Sequence, residues 1–242
     1  MALPKVAVAT HELTIPSTGQ KIKYRPFLVK EEKLLMMAAE GGGAEISKAI
    51  KTVLQACTQS KLNIQSLAPF DIEYYFLQLR GRSVGDEVKL SLARPDSMEC
   101  ECSEGKSCNI TLSINEIQLD QTKISDGKIS ITGDIGIKLK YPDLDSMQSF
   151  VGSDKAPTAD EVFKIISDSI EYIWEGDEIY KSRDASKEEL NDFIESLNSE
   201  QFEKVRAFFE DMPKLHKEVD WICPECKKSV KVLLEGIDTF FV

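Results

Sequence analysis

The sequence lacks any apolar run long enough to cross a bilayer. Its first residues, 1–5, also lack the basic-then-apolar layout of a signal peptide. We therefore expect neither a membrane span nor export, so that the cysteines meet a reducing cytosol. In such a compartment thiolates bind metal ions more readily than they form disulfides.

Basic residues are scarce relative to acidic ones. The chain has 30 Lys and Arg against 41 Asp and Glu, which gives a net charge of −11. A surface of that sign repels the phosphates of nucleic acids and of anionic lipids. We therefore expect no nucleic-acid partner and no membrane partner.

Catalytic motifs are also missing. The sequence contains no nucleophile elbow, phosphate-binding loop or paired-histidine motif, and it has only two histidines. Its adjacent glutamates, at 31–32 and 188–189, are typical of a charged helix surface rather than of an acid–base pair. The sequence thus predicts a protein that is not an enzyme and has no small-molecule substrate.

The pattern of apolar residues predicts an α+β fold. Helical spacing favours helices over residues 30–40 and 44–58, and a third that follows Pro69 with Asp71 as its cap. Apolar residues then alternate between 84 and 142, as they do in strands. Capping boxes at Thr158 and Ser186 introduce further helices, the first of which we extend to Trp174. The expected parts are a mainly helical one (1–83), a β-rich one (84–142), a helical one (143–218) and a C-terminal hairpin (219–242), within one interlocked unit.

Cysteine distribution is the strongest chemical signal. Five of the six cysteines fall into two tight groups, each at the start of an expected strand: Cys100, Cys102 and Cys108, then Cys223 and Cys226. Two such cysteine turns are what a tetrahedral zinc ion needs to clamp distant segments together. Four thiolates would close its coordination sphere, which favours a structural metal over a catalytic one.

The two halves of this zinc site differ in regularity. Cys-Pro-Glu-Cys at 223–226 has the spacing that lets both sulfurs face one ion. In the first group we prefer Cys102 and Cys108, which flank a loop with Gly105 at its turn, and Cys100 is the rival ligand. His216 can in principle replace a cysteine, but we interpret it as a surface residue at a helix end. Cys57 is expected in the core.

A short internal similarity accompanies the cysteines. Residues 109–117 and 229–237 have the same apolar spacing, and both segments follow cysteines. We interpret this as two weakly similar halves whose hairpins face each other across one metal ion.

Two apolar segments are candidates for partner binding. One is the segment that precedes the first helix, and the other is the end of the chain. The residues concerned are Arg25, Pro26, Phe27, Leu28, Phe240 and Phe241.

Several landmarks resemble the T4-type bacteriophage baseplate hub proteins, a family with a hub subunit and a related hub assembly factor. The most specific is Arg-Pro-Phe-Leu-Val-Lys-Glu-Glu-Lys at 25–33. Others lie at 13–19, 70–80, 83–85, 221–226 and 234–241, in the expected order along nearly the whole chain.

The resemblance implies a late protein of infection that helps to build the hub of a contractile tail. It implies other hub and tail proteins as partners, the host bacterial cytoplasm as the place of assembly, and no enzymatic reaction. It leaves open whether the protein stays in the virion or acts as an assembly chaperone.

Two alternatives from other classes are a zinc-ribbon adaptor that binds nucleic acid, which the charge disfavours, and a zinc hydrolase, which would need an open ligand position.

Overall fold

The computed structural model describes residues 6–41, 43–100, 106–143, 146 and 158–236. Its helices and strands alternate in groups, and this mixture confirms the α+β class. None of the helices within these ranges is long and apolar enough to span a membrane.

Within the described ranges the structure has six α-helices with defined bounds, in two groups of three. The first group is α1 (Val29–Ala39), α2 (Gly43–Cys57) and α3 (Pro69–Val84); the second is α4 (Ala159–Ser169), α5 (Lys187–Glu195) and α6 (Ser199–Glu210).

The strands that the structure describes form four small antiparallel sheets. In chain order they are β1 (His11–Thr14), β2 (Lys21–Tyr24), β3 (Glu87–Ala93), β4 (Ser107–Ser113), β5 (Gln118–Leu119), β6 (Lys128–Ser130), β7 (Ile135–Leu139), β8 (Ile170–Glu175), β9 (Glu178–Lys181), β10 (Leu215–Ile222) and β11 (Ser229–Glu235). The sheets have the orders β1-β2, β3-β4, β11-β10-β5 and β6-β7-β8-β9.

The N-terminal core joins the β1–β2 hairpin to α2 and α3. Its buried residues include Tyr24, Leu54, Cys57 and Tyr75. Burial raises the pKa of the Cys57 thiol to about 11, so this cysteine behaves as an apolar core residue, as expected.

The start of α3 differs from the prediction. Ala68 occupies the N-cap position, where Pro69 follows it at the first helical position. Asp71 is fully buried, and its carboxylate accepts hydrogen bonds from the backbone N–H and the hydroxyl of Ser17. Asp71 therefore ties the β1–β2 turn to α3, and its carboxylate also accepts a hydrogen bond from the backbone N–H of Ala68, so it caps the helix from the third helical position rather than from the N-cap position.

A second core lies between the β3–β4 and β10–β11 hairpins. It contains Val88 and Leu112 from one hairpin, Val219 and Leu234 from the other, and Leu77 from α3. Residues more than 100 positions apart in sequence thus share one apolar cluster, and the two hairpins with similar spacing are packed together.

The third core packs α4, α5 and α6 against the four-stranded sheet. Both predicted capping boxes are confirmed, with Thr158 bonded to Glu161 and Ser186 bonded to Glu189. The expected continuation of α4 to Trp174 is wrong, because the helix ends at Ser169. The residues after it are rich in β-branched and aromatic side chains, and they pair with β7 as strand β8.

The ring of Tyr141 links the third core to the first group of helices. Its centroid lies 4.9 Å from that of Phe70 in α3 and 4.8 Å from that of Phe208 in α6. The edge-to-face and stacked geometries of these pairs are the favourable ones for aromatic rings.

Candidate metal centre

A tight turn connects β10 to β11 and carries two cysteines. Within it the N–H of Cys223 donates to the carbonyl of Lys228 at 2.8 Å, and the N–H of Lys227 donates to the carbonyl of Cys223 at 3.1 Å. Lys227 adopts a left-handed backbone, with φ of 62°. This closed turn holds Cys223 and Cys226 on one side of the hairpin.

The facing loop extends from the end of the β3–β4 hairpin. The side chain of Arg94 donates to the carbonyl of Cys100 at 3.3 Å and also bonds the carbonyl of Met98, which is 3 % exposed. A turn in which the N–H of Met98 donates to the carbonyl of Pro95 brings the chain back toward β10. These bonds fix the backbone immediately around Cys100.

The two hairpins meet through a fourth, small apolar cluster. Its fully buried members are Trp221 and Cys223, and Met98 packs with them. The indole N–H of Trp221 donates to the carbonyl of Leu92 at 3.1 Å. Strand β10 is therefore joined to strand β3 by packing and by a buried hydrogen bond.

Three sulfur atoms converge beside this cluster. The Sγ atoms of Cys100, Cys223 and Cys226 all lie within 4.8 Å of one another. Sulfurs that share a tetrahedral ion at about 2.3 Å are separated by roughly 3.8 Å, so only a small adjustment would bring these three to one metal. Cys223 is buried and Cys226 is exposed, so the site opens to the surface on one side.

The structure brings some of the predicted zinc ligands together and not others. Cys223 and Cys226 come together as the spacing predicts, and the structure adds Cys100, which the sequence offered only as the rival ligand. Cys108 lies opposite Leu92 in the β3–β4 ladder and packs at the rim of the same cluster, outside the group of three. Cys102 lies outside the described residues, so the fourth ligand stays a prediction.

Basic side chains surround the cysteine turn. Lys106 forms an ion pair with Glu225, which connects the two facing loops directly. The ammonium of Lys227 donates to the carbonyl of Pro224 at 2.9 Å, within the turn itself.

Neither histidine belongs to this cysteine group. His216 lies in strand β10, paired with Gln118 of β5, so its expected position at a helix end is wrong. The alternation of apolar residues along β10 begins at Leu215. This alternation could have predicted that His216 lies in a strand.

In the first segment predicted to bind a partner, residues 25–28, some side chains contact the interior of the protein and others are exposed. Arg25 points inward, where its guanidinium donates to Glu31 at 2.9 Å and to the carbonyl of Ala56 at 3.1 Å. Phe27 packs against the N-terminal core, Pro26 is half-buried, and Leu28 is exposed. Phe240 and Phe241 lie outside the described residues.

Helix α1 presents an apolar surface that continues from Leu28. Its Val29, Met36 and Met37 are 79 %, 67 % and 61 % exposed. Spacing of seven residues places Val29 and Met36 on the side away from Leu35, which packs on the core. We call the exposed side chains of Leu28, Val29, Met36 and Met37 the α1 face.

Glu31 anchors α1 beneath this face. Burial alone raises its pKa, but hydrogen bonds from Arg25 and from the N–H of Leu28 outweigh that effect and lower the pKa from 4.5 to about 2. The carboxylate thus closes the first turn of the helix and neutralises a largely buried guanidinium.

We expect Glu31→Gln to lower the free energy of unfolding by about 2 kcal/mol at neutral pH, because a buried charge-assisted contact is lost. The exposed neighbour change Glu32→Gln is the control and should have little effect. The carboxylate of Glu31 contributes fully above pH 4.5 and loses its contribution as pH falls to about 2. Urea unfolding at several pH values should therefore show the difference between wild type and Glu31→Gln shrinking across this window, and a constant difference would contradict the assignment.

Comparison with models of protein families gives a match over nearly the whole chain. A family model described as T4 bacteriophage base plate protein matches residues 8–242. Neither the comparison with curated proteins nor that with solved structures gives a significant match.

Proposed function

The chain belongs to the T4 bacteriophage base plate protein family, and from this premise we propose that it is a non-enzymatic docking protein of the baseplate hub. Membership of the family implies interaction with other baseplate proteins and points to the virion tail. The extent of the match, 8–242 of 242 residues, is the observation that carries the proposal. Assembly would take place in the cytoplasm of the host bacterium.

A structural zinc ion is the second part of the proposal. The group of Cys100, Cys223 and Cys226 supplies soft thiolate donors in a compact arrangement, and zinc is a metal that such donors select. Either Cys108 or Cys102 would complete the coordination sphere. The ion would staple the loop after β3 to the turn after β10, so that the middle and the end of the chain move as one body.

Docking is assigned to the α1 face and to the aromatic C-terminal segment with Phe240 and Phe241. Methionine side chains are flexible and polarizable, so they adapt to a partner surface at little cost. Arg25 supports this surface indirectly, because it holds Glu31 in place and its contacts are all within the chain. The α1 face is supported by the exposure of its members, and exposed apolar side chains that lie next to each other are typical of interaction sites.

The nucleic-acid adaptor is disfavoured by the net charge of −11, since phosphate binding requires a basic surface. The α1 face consists of apolar side chains, and the exposed Lys30 and Lys33 lie beside them on the same helix, but two lysines form too small a basic surface to bind a phosphate backbone.

We expect Met36→Glu combined with Met37→Glu to reduce co-purification with the co-expressed hub proteins of the same phage by at least about tenfold, because two charges would be buried at the contact. Leu233→Lys is the control, since Leu233 is an apolar residue of similar exposure on another element and a lysine there lies opposite Glu218 in the β10–β11 ladder. Retention of both variants at the wild-type level would contradict docking through the α1 face.

Failure of the wild-type chain to co-purify with any hub protein under co-expression would contradict the hub assignment itself. Mass spectrometry of purified virions distinguishes a permanent subunit, whose peptides would be abundant, from an assembly factor, whose peptides would be absent.

A further inference from the structure

The four-stranded sheet β6-β7-β8-β9 has one face turned away from helices α4, α5 and α6. Its other face packs on those helices and includes Ile137 and Ile173. Residues directly opposite each other in a ladder lie on the same side of a sheet, and the sides alternate along each strand. The register therefore gives the members of the outer face, which are Lys128, Ser130, Gly136, Lys138, Tyr172, Trp174, Ile179 and Lys181. We call this set the lysine–aromatic face.

One row of the lysine–aromatic face carries three lysines. The row consists of Lys128, Lys138, Tyr172 and Lys181, one from each strand. Lys128 and Lys138 are directly opposite each other, an arrangement that destabilises a sheet by like-charge repulsion. The chain has a net charge of −11, so the row is a local reversal of sign. A local arrangement that lowers stability is typical of a functional surface, here one to which negative charge is brought.

The charges around this row are of both signs and leave positive charge in excess. The ammonium of Lys138 bonds the carbonyl of Asp126, while the carboxylate of Asp126 accepts the backbone N–H of Lys128 at 3.0 Å. Glu171 is inserted at the register shift between β7 and β8, and Arg183 lines the same depression. The row therefore has the charge that attracts a partner's carboxylates.

The next row supplies an aromatic surface beside the lysines. Trp174 lies opposite Gly136, where a Cβ atom would clash with the indole ring. The indole therefore lies directly over this glycine. Its ring centroid is 6.2 Å from that of Tyr172, and Ile179 on its other side is 59 % exposed. Glycine at this position thus makes room for an aromatic platform that an apolar side chain of a partner can contact.

The spacing of the lysines fits an extended acidic segment. Three steps between strands separate Lys128 from Lys181, which is about 14 Å at the usual strand spacing. In an extended chain the side chains of residues i, i+2 and i+4 point the same way and span about 13 Å. A single-stranded nucleic acid carries a charge on every nucleotide and would continue past this small face onto an acidic surface, which disfavours it.

We propose that the lysine–aromatic face binds an extended, glutamate- or aspartate-rich segment of a partner protein. Carboxylates at alternate positions pair with the row of lysines, and an apolar side chain next to them packs on Trp174. The inference concerns a second interaction surface, and it depends neither on the α1 face nor on the zinc ion.

Fluorescence anisotropy tests the charge. The probe is a fluorescein-labelled heptapeptide in which glutamates alternate with threonine, leucine and threonine, and its control has glutamine in place of each glutamate. The full-length chain should bind the acidic peptide at least about tenfold more tightly than the control, and added salt should weaken the binding.

Charge reversal tests the residues. Lys128→Glu and Lys181→Glu should each weaken the acidic peptide about tenfold. Lys48→Glu makes the same change of charge at an exposed position on α2 and should bind as wild type does. Lys128→Glu also replaces a like-charge pair by an opposite-charge pair, so it should raise the urea midpoint of the free chain, and its loss of binding is then not a loss of folding.

Tryptophan fluorescence tests the aromatic platform. Trp221 is fully buried and Trp174 is half-buried, so acrylamide quenching reports mainly on Trp174. Saturating acidic peptide should lower the quenching constant, because it covers the indole.

Three results would overturn the proposal: an acidic peptide that binds no more tightly than its glutamine control, reversal variants that bind it as wild type does, and quenching that the peptide leaves unchanged. A labelled oligothymidylate that binds more tightly than the acidic peptide would overturn it in favour of a single-stranded nucleic acid.

Discussion

Cys226→Ser is expected to remove the stability that the proposed zinc ion would contribute. Cys226 is exposed, so the substitution itself disturbs packing by less than about 0.5 kcal/mol. In zinc at roughly a thousandfold above the dissociation constant, the bound ion stabilises the wild-type fold by about 4 kcal/mol, and the variant should lose most of this. Urea unfolding with and without a chelator measures the difference.

The chelator provides the internal control for this experiment. With zinc removed, wild type and Cys226→Ser should have nearly the same free energy of unfolding, because only the metal contact distinguishes them. Equal stabilities in saturating zinc, or a native mass spectrum in which the folded wild-type chain carries no metal, would contradict the structural metal.

The same assay assigns the remaining ligands. Cys100→Ser should behave like Cys226→Ser, since the two sulfurs belong to one compact group. Cys108→Ser then separates the alternatives for the fourth ligand: a loss of zinc affinity identifies Cys108, and wild-type affinity points to Cys102.

Trp221→Ala is expected to cost about 4 kcal/mol of unfolding free energy, because a large, fully buried side chain is removed from the junction of the two hairpins. Trp221→Phe should cost about 2 kcal/mol, since it also leaves the carbonyl of Leu92 without the indole donor. Both changes should lower zinc affinity, because the junction holds the cysteine loops together. Urea unfolding and zinc titration provide the two measurements.

Trp174→Phe is the matched control for this prediction. Trp174 is the other tryptophan of the chain, it is only half-buried, and it lies on strand β8 away from the cysteines. This variant should keep zinc affinity unchanged. If Trp221→Phe proved no more destabilising than Trp174→Phe and left zinc affinity intact, the role of Trp221 in joining the hairpins would be wrong.

Features encoded within a few consecutive residues were predictable. Helix α2 was expected at 44–58 and spans Gly43–Cys57, and both capping boxes lie where their sequence signatures place them. The alternation in 84–142 correctly indicated β3, β4 and β7. Hydrogen-bonding and apolar periodicity act over one or two turns of chain, so a short window contains the information.

Features that depend on neighbours distant in sequence were not predictable. The run from Ile170 to Trp174 is compatible with helical spacing, and its pairing with β7 makes it a strand. The sequence predicts that Arg25 is exposed and binds a partner. In the structure its guanidinium instead donates hydrogen bonds to Glu31 and to the carbonyl of Ala56. A short stretch of sequence around Ile170 does not include β7, and one around Arg25 does not include Ala56 at the end of α2.

The sequence by itself determined the family, the α+β class and the pairing of Cys223 with Cys226, because each is encoded by residue identity or by spacing along a short segment. Only the tertiary structure brought Cys100 to that pair and, among the described residues, placed β9 at an edge of its sheet. Cys100 meets the pair because hairpins separated by more than 100 residues pack together and bury apolar side chains. The edge position of β9 depends on which other strands join its sheet. Neither feature is encoded within a short segment of the sequence.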